Sequence, residues 1–268
     1  MATATEIKAF RKLVGKHPAW PRALCFGDSW LQYPPHPTDL HKQLRRLFRH
    51  TAFLNESRPG RESAEIKALM PRLRALLAEF RFDVLVVSMG GNDVVGNELA
   101  EYVKTADEPQ SPANVDWGVV PPEVRDHIRL GAFDLALRYL VDDYRRVIAV
   151  RDAAAPECEI VAHNYDYVWP DGRAFKLAGV KAGPWIKPQL DAVGLTGIAA
   201  QRVVSSWLID QFTRVMTALV SQTPRMRLVD ARGTLARTQW ANEIHPTEAG
   251  FRKLAETAWK PVLRAYLA

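Results

Sequence analysis

Ala23-Leu24-Cys25-Phe26-Gly27-Asp28-Ser29-Trp30 carries four apolar residues straight into a turn of small and polar ones, and that junction decides the fold. A continuous apolar run without alternation is the pattern of a strand buried on both faces, as in a parallel sheet. The junction recurs at Val84-Leu85-Val86-Val87-Ser88-Met89-Gly90-Gly91-Asn92-Asp93. Ser29 and Asn92 then stand at the carboxyl ends of two strands of one sheet, the edge where open α/β sheets hold their ligands. A third stretch, Asn242-Glu243-Ile244-His245-Pro246-Thr247, can bring a His to the same edge from far down the chain. Ser29, Asn92 and His245 together offer a nucleophile, an oxyanion donor and a general base, the minimum equipment for ester cleavage.

Outward from these junctions, strands are expected over 23–26, 51–54, 82–88, 159–163 and 227–229, with helical stretches between them. The helices cover about 5–16, 38–48 behind an N-cap at Thr38, 63–80 with Pro71 inside, a short one through Val103, 122–152, 197–222, and Thr247 to the C-terminus. Strands alternating with helices imply an α/β fold, a three-layer α/β/α sandwich on a five-stranded parallel sheet with right-handed crossovers. Residues 1–268 read as a single domain with an N-terminal helical extension over 1–21. The loop 32–37 is stiffened by its prolines. Two segments rich in Pro, Gly and aromatics, 107–122 and 165–197, follow the third and fourth strands and read as lid-like loops at the Ser29 edge.

With 47% hydrophobic residues in 268, the chain can build one substantial core, and 25% charged residues place it among globular proteins. Basic residues exceed acidic ones by 6. Their densest cluster, Lys42, Arg45, Arg46 and Arg49, has helical spacing and reads as a solvated face, and no nucleic-acid motif accompanies it. Cys25 and Cys158 fall in expected strands as small hydrophobes, so no disulfide is expected. The N-terminus has no basic-then-apolar signal pattern, and no stretch approaches the roughly 20 apolar residues of a membrane span. The expectation is a cytoplasmic protein with a small-molecule substrate, no nucleic-acid partner and no membrane span. His17, His36, His41, His50 and His127 read as surface or loop positions without metal-ligand spacing. His163, ending the fourth strand, either lines the pocket or anchors the loop after it. No metal or organic cofactor is implied, and oligomeric state leaves no trace in the sequence.

Gly27-Asp28-Ser29, then Gly90-x-Asn92-Asp93, then His245-Pro246-Thr247, in this order, resemble the blocks of the SGNH (GDSL-type) hydrolase superfamily. The resemblance runs from about Arg22 to the C-terminus. It implies the flavodoxin-like strand order 2-1-3-4-5, with Ser29 as nucleophile and His245 as general base. Gly60, in Arg58-Pro59-Gly60-Arg61-Glu62-Ser63, is the candidate for the remaining block. The implied oxyanion hole combines the backbone N–H groups of Ser29 and Gly60 with the Asn92 amide. Asp28 is expected to fix the turn, and Asp93 to cap the helix that follows.

The chain departs from the family where an Asp normally stands three residues before the His: here it is Asn242. A neutral Asn accepts a hydrogen bond from the imidazole but lacks the charge. Either Asn242 or a backbone carbonyl orients His245, or Glu243 or Asp230 substitutes, or the enzyme is weak; the first is favoured. Trp30, His163 and Tyr165 are expected at the substrate pocket, and Tyr33, Trp117, Tyr167, Trp169 and Trp185 are further aromatics for an acyl group or a sugar face, or simply for packing loops. Val86-Val87-Ser88-Met89-Gly90 resembles the Gly-x-Ser-x-Gly elbow of α/β-hydrolases, but Val86 replaces the first Gly, which speaks against Ser88 as nucleophile. The resemblance implies a serine esterase acting on carboxylic esters, acetyl or short acyl. A thioesterase or acyltransferase with the same site is the second reading, and a non-catalytic binding module on a hydrolase scaffold the third.

Overall fold

The computed structural model describes residues 1–33, 39–177 and 179–268. Pro34, Pro35, His36, Pro37 and the expected cap Thr38 lie outside the described residues. Among the described residues, seven strands are formed: β1 (Arg22–Gly27), β2 (Ala52–Asn55), β3 (Val84–Ser88), β4 (Glu159–His163), β5 (Phe175–Leu177), β6 (Val180–Ala182) and β7 (Met226–Val229). Five of them make one parallel sheet in the order β2-β1-β3-β4-β7, the expected 2-1-3-4-5 arrangement, while β5 and β6 form a separate hairpin. Every residue of β3 and β4 is buried, the apolar runs Val84–Val87 and Ile160–Ala162 together with the polar Ser88, Glu159 and His163 at their ends.

The helices are α1 (Ala4–Lys16), α2 (Leu40–Leu47), α3 (Ile66–Phe80), α4 (Gly91–Val95), α5 (Leu99–Tyr102), α6 (Pro122–His127), α7 (Leu130–Ala154), α8 (Lys187–Ala192), α9 (Ile198–Ser221), α10 (Glu248–Leu254) and α11 (Lys260–Leu267). A π-helical turn, Ala255–Trp259, joins the last two. The pair α2 and α10 packs together with that turn, and α3 packs on α7 and α7 on α9. Right-handed crossovers place these two groups on opposite faces of the sheet. Asp39 is the N-cap of α2, accepting from Lys42 N. No described helix is long and apolar enough to cross a membrane.

Three expectations are corrected. The helix expected over 122–152 is two helices. Ile128 leaves it to form a bridge with Val103, and Lys104 N and Arg129 N donate to His127 O and Tyr102 O, so tertiary pairing overrides a continuous apolar period. The segment 165–197 is not irregular throughout, since it contains the β5–β6 hairpin and α8. His41 is buried on the inner face of α2 rather than at the surface, and burial pushes its imidazole down to about 3.

Gly27 shows why the sequence must be small where β1 ends. A Cβ there would lie 2.0 Å from Ser88 O. Its absence lets Asp28 N donate to the same oxygen at 2.9 Å, which seats the following residue, Ser29, beside the end of β3.

Candidate active site

Three loops at the carboxyl edge of the sheet converge on Ser29. The first turn is fixed by Asp28, whose Oδ1 accepts from Trp30 N at 3.0 Å and from Ser88 Oγ at 2.7 Å, while the Tyr165 hydroxyl donates to its Oδ2. Burial holds the Asp28 carboxyl up at about 6. The loop after β2 runs alongside the end of β1, with Glu56 N donating to Cys25 O and Arg58 N to Gly27 O, and this carries Gly60 to the site. Gly60 sits at φ 67°, a left-handed conformation that favours glycine.

Arg61 ties these loops together. Its buried guanidinium donates to Gly27 O at 3.2 Å and Glu56 O at 2.9 Å, and its own carbonyl accepts from Asn92 Nδ2 at 2.9 Å. One amide N–H of Asn92 is thereby spent on anchoring, and the other is left for the cleft that Asn92 lines. Asp93 does not cap the next helix. It accepts from Ser63 N at 3.1 Å and Ser63 Oγ at 2.6 Å, joining α4 to the Gly60 loop.

His245 arrives on the loop between β7 and α10, which is pinned by a bridge between Trp240 and Pro246 and by Trp30 Nε1 donating to Ile244 O at 3.0 Å. Asn242 Oδ1 accepts from the backbone N–H groups of Ile244 (3.1 Å) and His245 (2.9 Å), which can only donate. That end of the amide is therefore the oxygen, and its 3.0 Å contact with His245 Nδ1 requires a proton on Nδ1. His245 Nε2 is then the lone-pair nitrogen, and it lies 2.8 Å from Ser29 Oγ. Burial pushes the imidazole down to about 3, keeping it neutral. The far end of the Asn242 amide donates to the Tyr33 hydroxyl at 2.9 Å, and the Tyr33 ring packs on His245 with centroids 4.3 Å apart.

A second Ser–His pair lies directly behind the first and has the opposite polarity. Ser88 Oγ gives its proton to Asp28, so the 2.8 Å contact between His163 Nε2 and Ser88 Oγ needs the proton on His163 Nε2. Ser88 and His163 are both fully buried. Ser88 thus faces no histidine lone pair, and it is buried with no space beside it that could admit a carbonyl. His163, expected as a pocket residue, is corrected to a packing position: it lines neither space at Ser29, because β4 carries it behind the Trp30 and Tyr165 rings.

The carboxylates considered for orienting His245 are engaged elsewhere. Asp230 binds Asn164 and Arg232. Glu243, fully buried, accepts backbone N–H bonds from Gly172 (3.0 Å), Trp185 (2.6 Å), Ile186 (2.8 Å) and Lys187 (3.1 Å). It fastens the segment around the β5–β6 hairpin to the His245 loop. Removing it orphans four backbone donors, that of Ile186 buried and those of Gly172, Trp185 and Lys187 part-buried, and a buried orphan costs about 1–3 kcal/mol. Glu243→Ala is therefore expected to lower stability by more than about 3 kcal/mol in urea unfolding; a change below about 1 kcal/mol would show that the clamp is dispensable.

Two spaces meet at Ser29. A crevice of about 10 Å³ is bordered by Trp30, Val95, Tyr165 and Val168. A cleft of about 320 Å³ is walled by Tyr33, Phe175 and Trp185, with Gly60, Asn92 and His245 along its floor. Trp30 and Tyr165 thus touch the site only at the crevice. Tyr167 and Trp169 hold their loop down, the first bonded to Asp210 and the second stacked under Arg202 at 3.5 Å. None of the described residues of 107–122 lines either space; Val115 and Trp117 border a separate groove against α7 and α9. Phe175 and the bridging role of Arg61 escaped the sequence reading. An Arg directly after Gly60 was the available signal for the second; nothing marks Phe175. Among the described residues, no group of three or more His, Cys, Asp or Glu is placed to hold a metal ion.

A sequence profile described as the GDSL-like lipase/acylhydrolase family matches residues 25–253. No curated protein matches the chain. Among solved structures, an extracellular lipase from Streptomyces rimosus is similar at 15% identity, over 92% of this chain and 99% of that one, with a TM-score of 0.54. A lipase from a goat rumen metagenome is similar at 14% identity, over 92% and 98%, with a TM-score of 0.54. A carbohydrate esterase family 3 protein from Talaromyces cellulolyticus follows at 12% identity, over 92% and 98%, with a TM-score of 0.51. At these identities the likeness is one of fold.

Proposed function

The chain belongs to the GDSL-like lipase/acylhydrolase family, and we propose that it is a serine esterase whose nucleophile is Ser29 and whose general base is His245. The observation that carries this reading is the 2.8 Å contact between Ser29 Oγ and the lone-pair nitrogen of His245, whose other nitrogen is held by Asn242. Ser29 Oγ attacks the ester carbonyl while its proton passes to His245 Nε2. The carbonyl oxygen, now negative, meets the backbone N–H groups of Ser29 and Gly60 and the free N–H of Asn92. These donors are in place before charge develops, which is how an oxyanion hole lowers a barrier. His245 returns the proton to the departing alcohol oxygen as the C–O bond breaks. Water then follows the reverse route to release the acid and restore Ser29.

Asn242 supplies orientation without charge. Its oxygen fixes the tautomer, so Ser29 always faces the acceptor nitrogen, but the imidazolium formed during attack gains no ion pair. Wild-type protein is expected to hydrolyse p-nitrophenyl acetate, and absence of turnover on every p-nitrophenyl ester would overturn the esterase reading.

The pH profile tests the pairing. Neutral imidazole is the active base, and its fraction falls only as pH drops through the His245 pKa of about 3. Wild-type kcat/KM is therefore expected to lose nothing to His245 protonation between about pH 5 and pH 8. Asn242→Asp sets a negative charge against Nδ1, which favours the imidazolium and raises the pKa. An acid limb then enters the same window, while turnover at its upper end equals or exceeds wild type. A large loss at high pH would instead give the neutral amide its own role.

A further inference from the structure

Building on the Ser29 reading, we infer that this site takes esters in one direction: a small acyl group, acetyl or close to it, on a bulky, uncharged aromatic or apolar alcohol. The two spaces at Ser29 differ in size far too much to be interchangeable. The crevice of about 10 Å³ has room for one group of water or methyl size. Its walls, Trp30, Val95, Tyr165 and Val168, are all buried and packed into the core, so widening it means moving core side chains. The cleft of about 320 Å³ is roughly twice the ~150 Å³ apolar cavity that takes up a benzene ring. Its walls are aromatic, and among the described residues no charged side chain lines it. A charged headgroup would lose its water there without gaining a partner.

Direction follows from where the proton must go. His245 borders both spaces, but it delivers its proton to the leaving alcohol, and the rings standing against its imidazole are those of the cleft, Tyr33 at 4.3 Å and Trp185 at 5.5 Å between centroids. The alcohol therefore leaves into the cleft and the acyl group points into the crevice. Deacylation gives the same answer. The attacking water must reach His245 through the position that the alcohol vacates. With an acetyl group in the crevice that route is the open cleft, whereas a bulky acyl group held in the cleft would obstruct it. The bonds balance at each stage: Ser29 Oγ–C forms and the alcohol C–O bond breaks, then water oxygen bonds the carbonyl carbon, Ser29 Oγ leaves, and the water proton returns to Oγ through His245.

Benzyl acetate and methyl phenylacetate test this directly. They are isomers with the ester reversed, and benzyl alcohol and methanol leave with similar ease. Wild-type protein is expected to hydrolyse benzyl acetate with a kcat/KM at least about tenfold higher. Among p-nitrophenyl esters, acetate should exceed octanoate by at least a comparable factor. Trp185→Ala and, independently, Tyr33→Ala should each lower the ratio of benzyl acetate to ethyl acetate turnover. Equal or faster hydrolysis of methyl phenylacetate, with activity still abolished by Ser29→Ala, would overturn the direction and leave the Ser29 reading standing. Absence of Ser29-dependent hydrolysis of p-nitrophenyl acetate would overturn both.

Discussion

Ser29→Ala is expected to lower kcat on p-nitrophenyl acetate by about 10⁴-fold or more, the scale on which nucleophile removal acts in serine hydrolases. What remains is the contribution of substrate binding and of oxyanion donors that no longer have a nucleophile to serve. Stability should change little, since Ser29 Oγ bonds only His245 among the described contacts. Ser88→Ala is the informative companion. It removes a hydroxyl that bonds Asp28 and His163 in the core, so it should lower the melting temperature, yet most of the turnover should survive. The two serines each lie 2.8 Å from a histidine nitrogen, and distance alone does not separate them. Proton bookkeeping does: the Asn242 oxygen puts the His245 proton on Nδ1, whereas the Asp28 carboxylate claims the Ser88 proton and forces the His163 proton onto Nε2.

Asn92→Ala is expected to lower kcat by about 10²–10³-fold, equivalent to about 3–4 kcal/mol of transition-state stabilisation, with KM little altered. The reason lies in how its amide is held. One N–H donates to Arg61 O at 2.9 Å, which fixes the amide before any substrate arrives. A donor that need not reorganise acts on the transition state alone, which is why kcat should carry the loss. Steady-state kinetics on p-nitrophenyl acetate, with a thermal melt to confirm folding, checks this. A rise in KM with kcat unchanged would make Asn92 a ground-state binding residue instead.

The strands and the three converging loops were legible because buried parallel strands leave apolar runs, and because Ser29, Asn92 and His245 each follow or precede a recognisable junction; the strand order came only from the resemblance to the SGNH family. The break between α6 and α7 was not, since Val124 and Ile128 keep a helical period and only pairing with Val103 interrupts it. Neighbours on a bent loop can turn to different partners, and sequence does not say which. Asn242 turns toward His245, while Glu243, the adjacent carboxylate and a natural suspect for the same task, turns toward the hairpin segment. The aromatics divided for a similar reason. Tyr33, Phe175 and Trp185 wall the cleft and Trp30 and Tyr165 sink into the core, a distinction fixed by loop path rather than by residue type.

Covalent labelling tests the identity of the nucleophile most directly. Native protein treated with a fluorophosphonate and digested with trypsin should carry one phosphonyl adduct, on the peptide of residues 23–42 that contains Ser29. Ser29→Ala should carry none. An adduct on the peptide of residues 82–104, which contains Ser88, or no adduct on active wild-type protein, would contradict the assignment of Ser29 and His245 as the reacting pair.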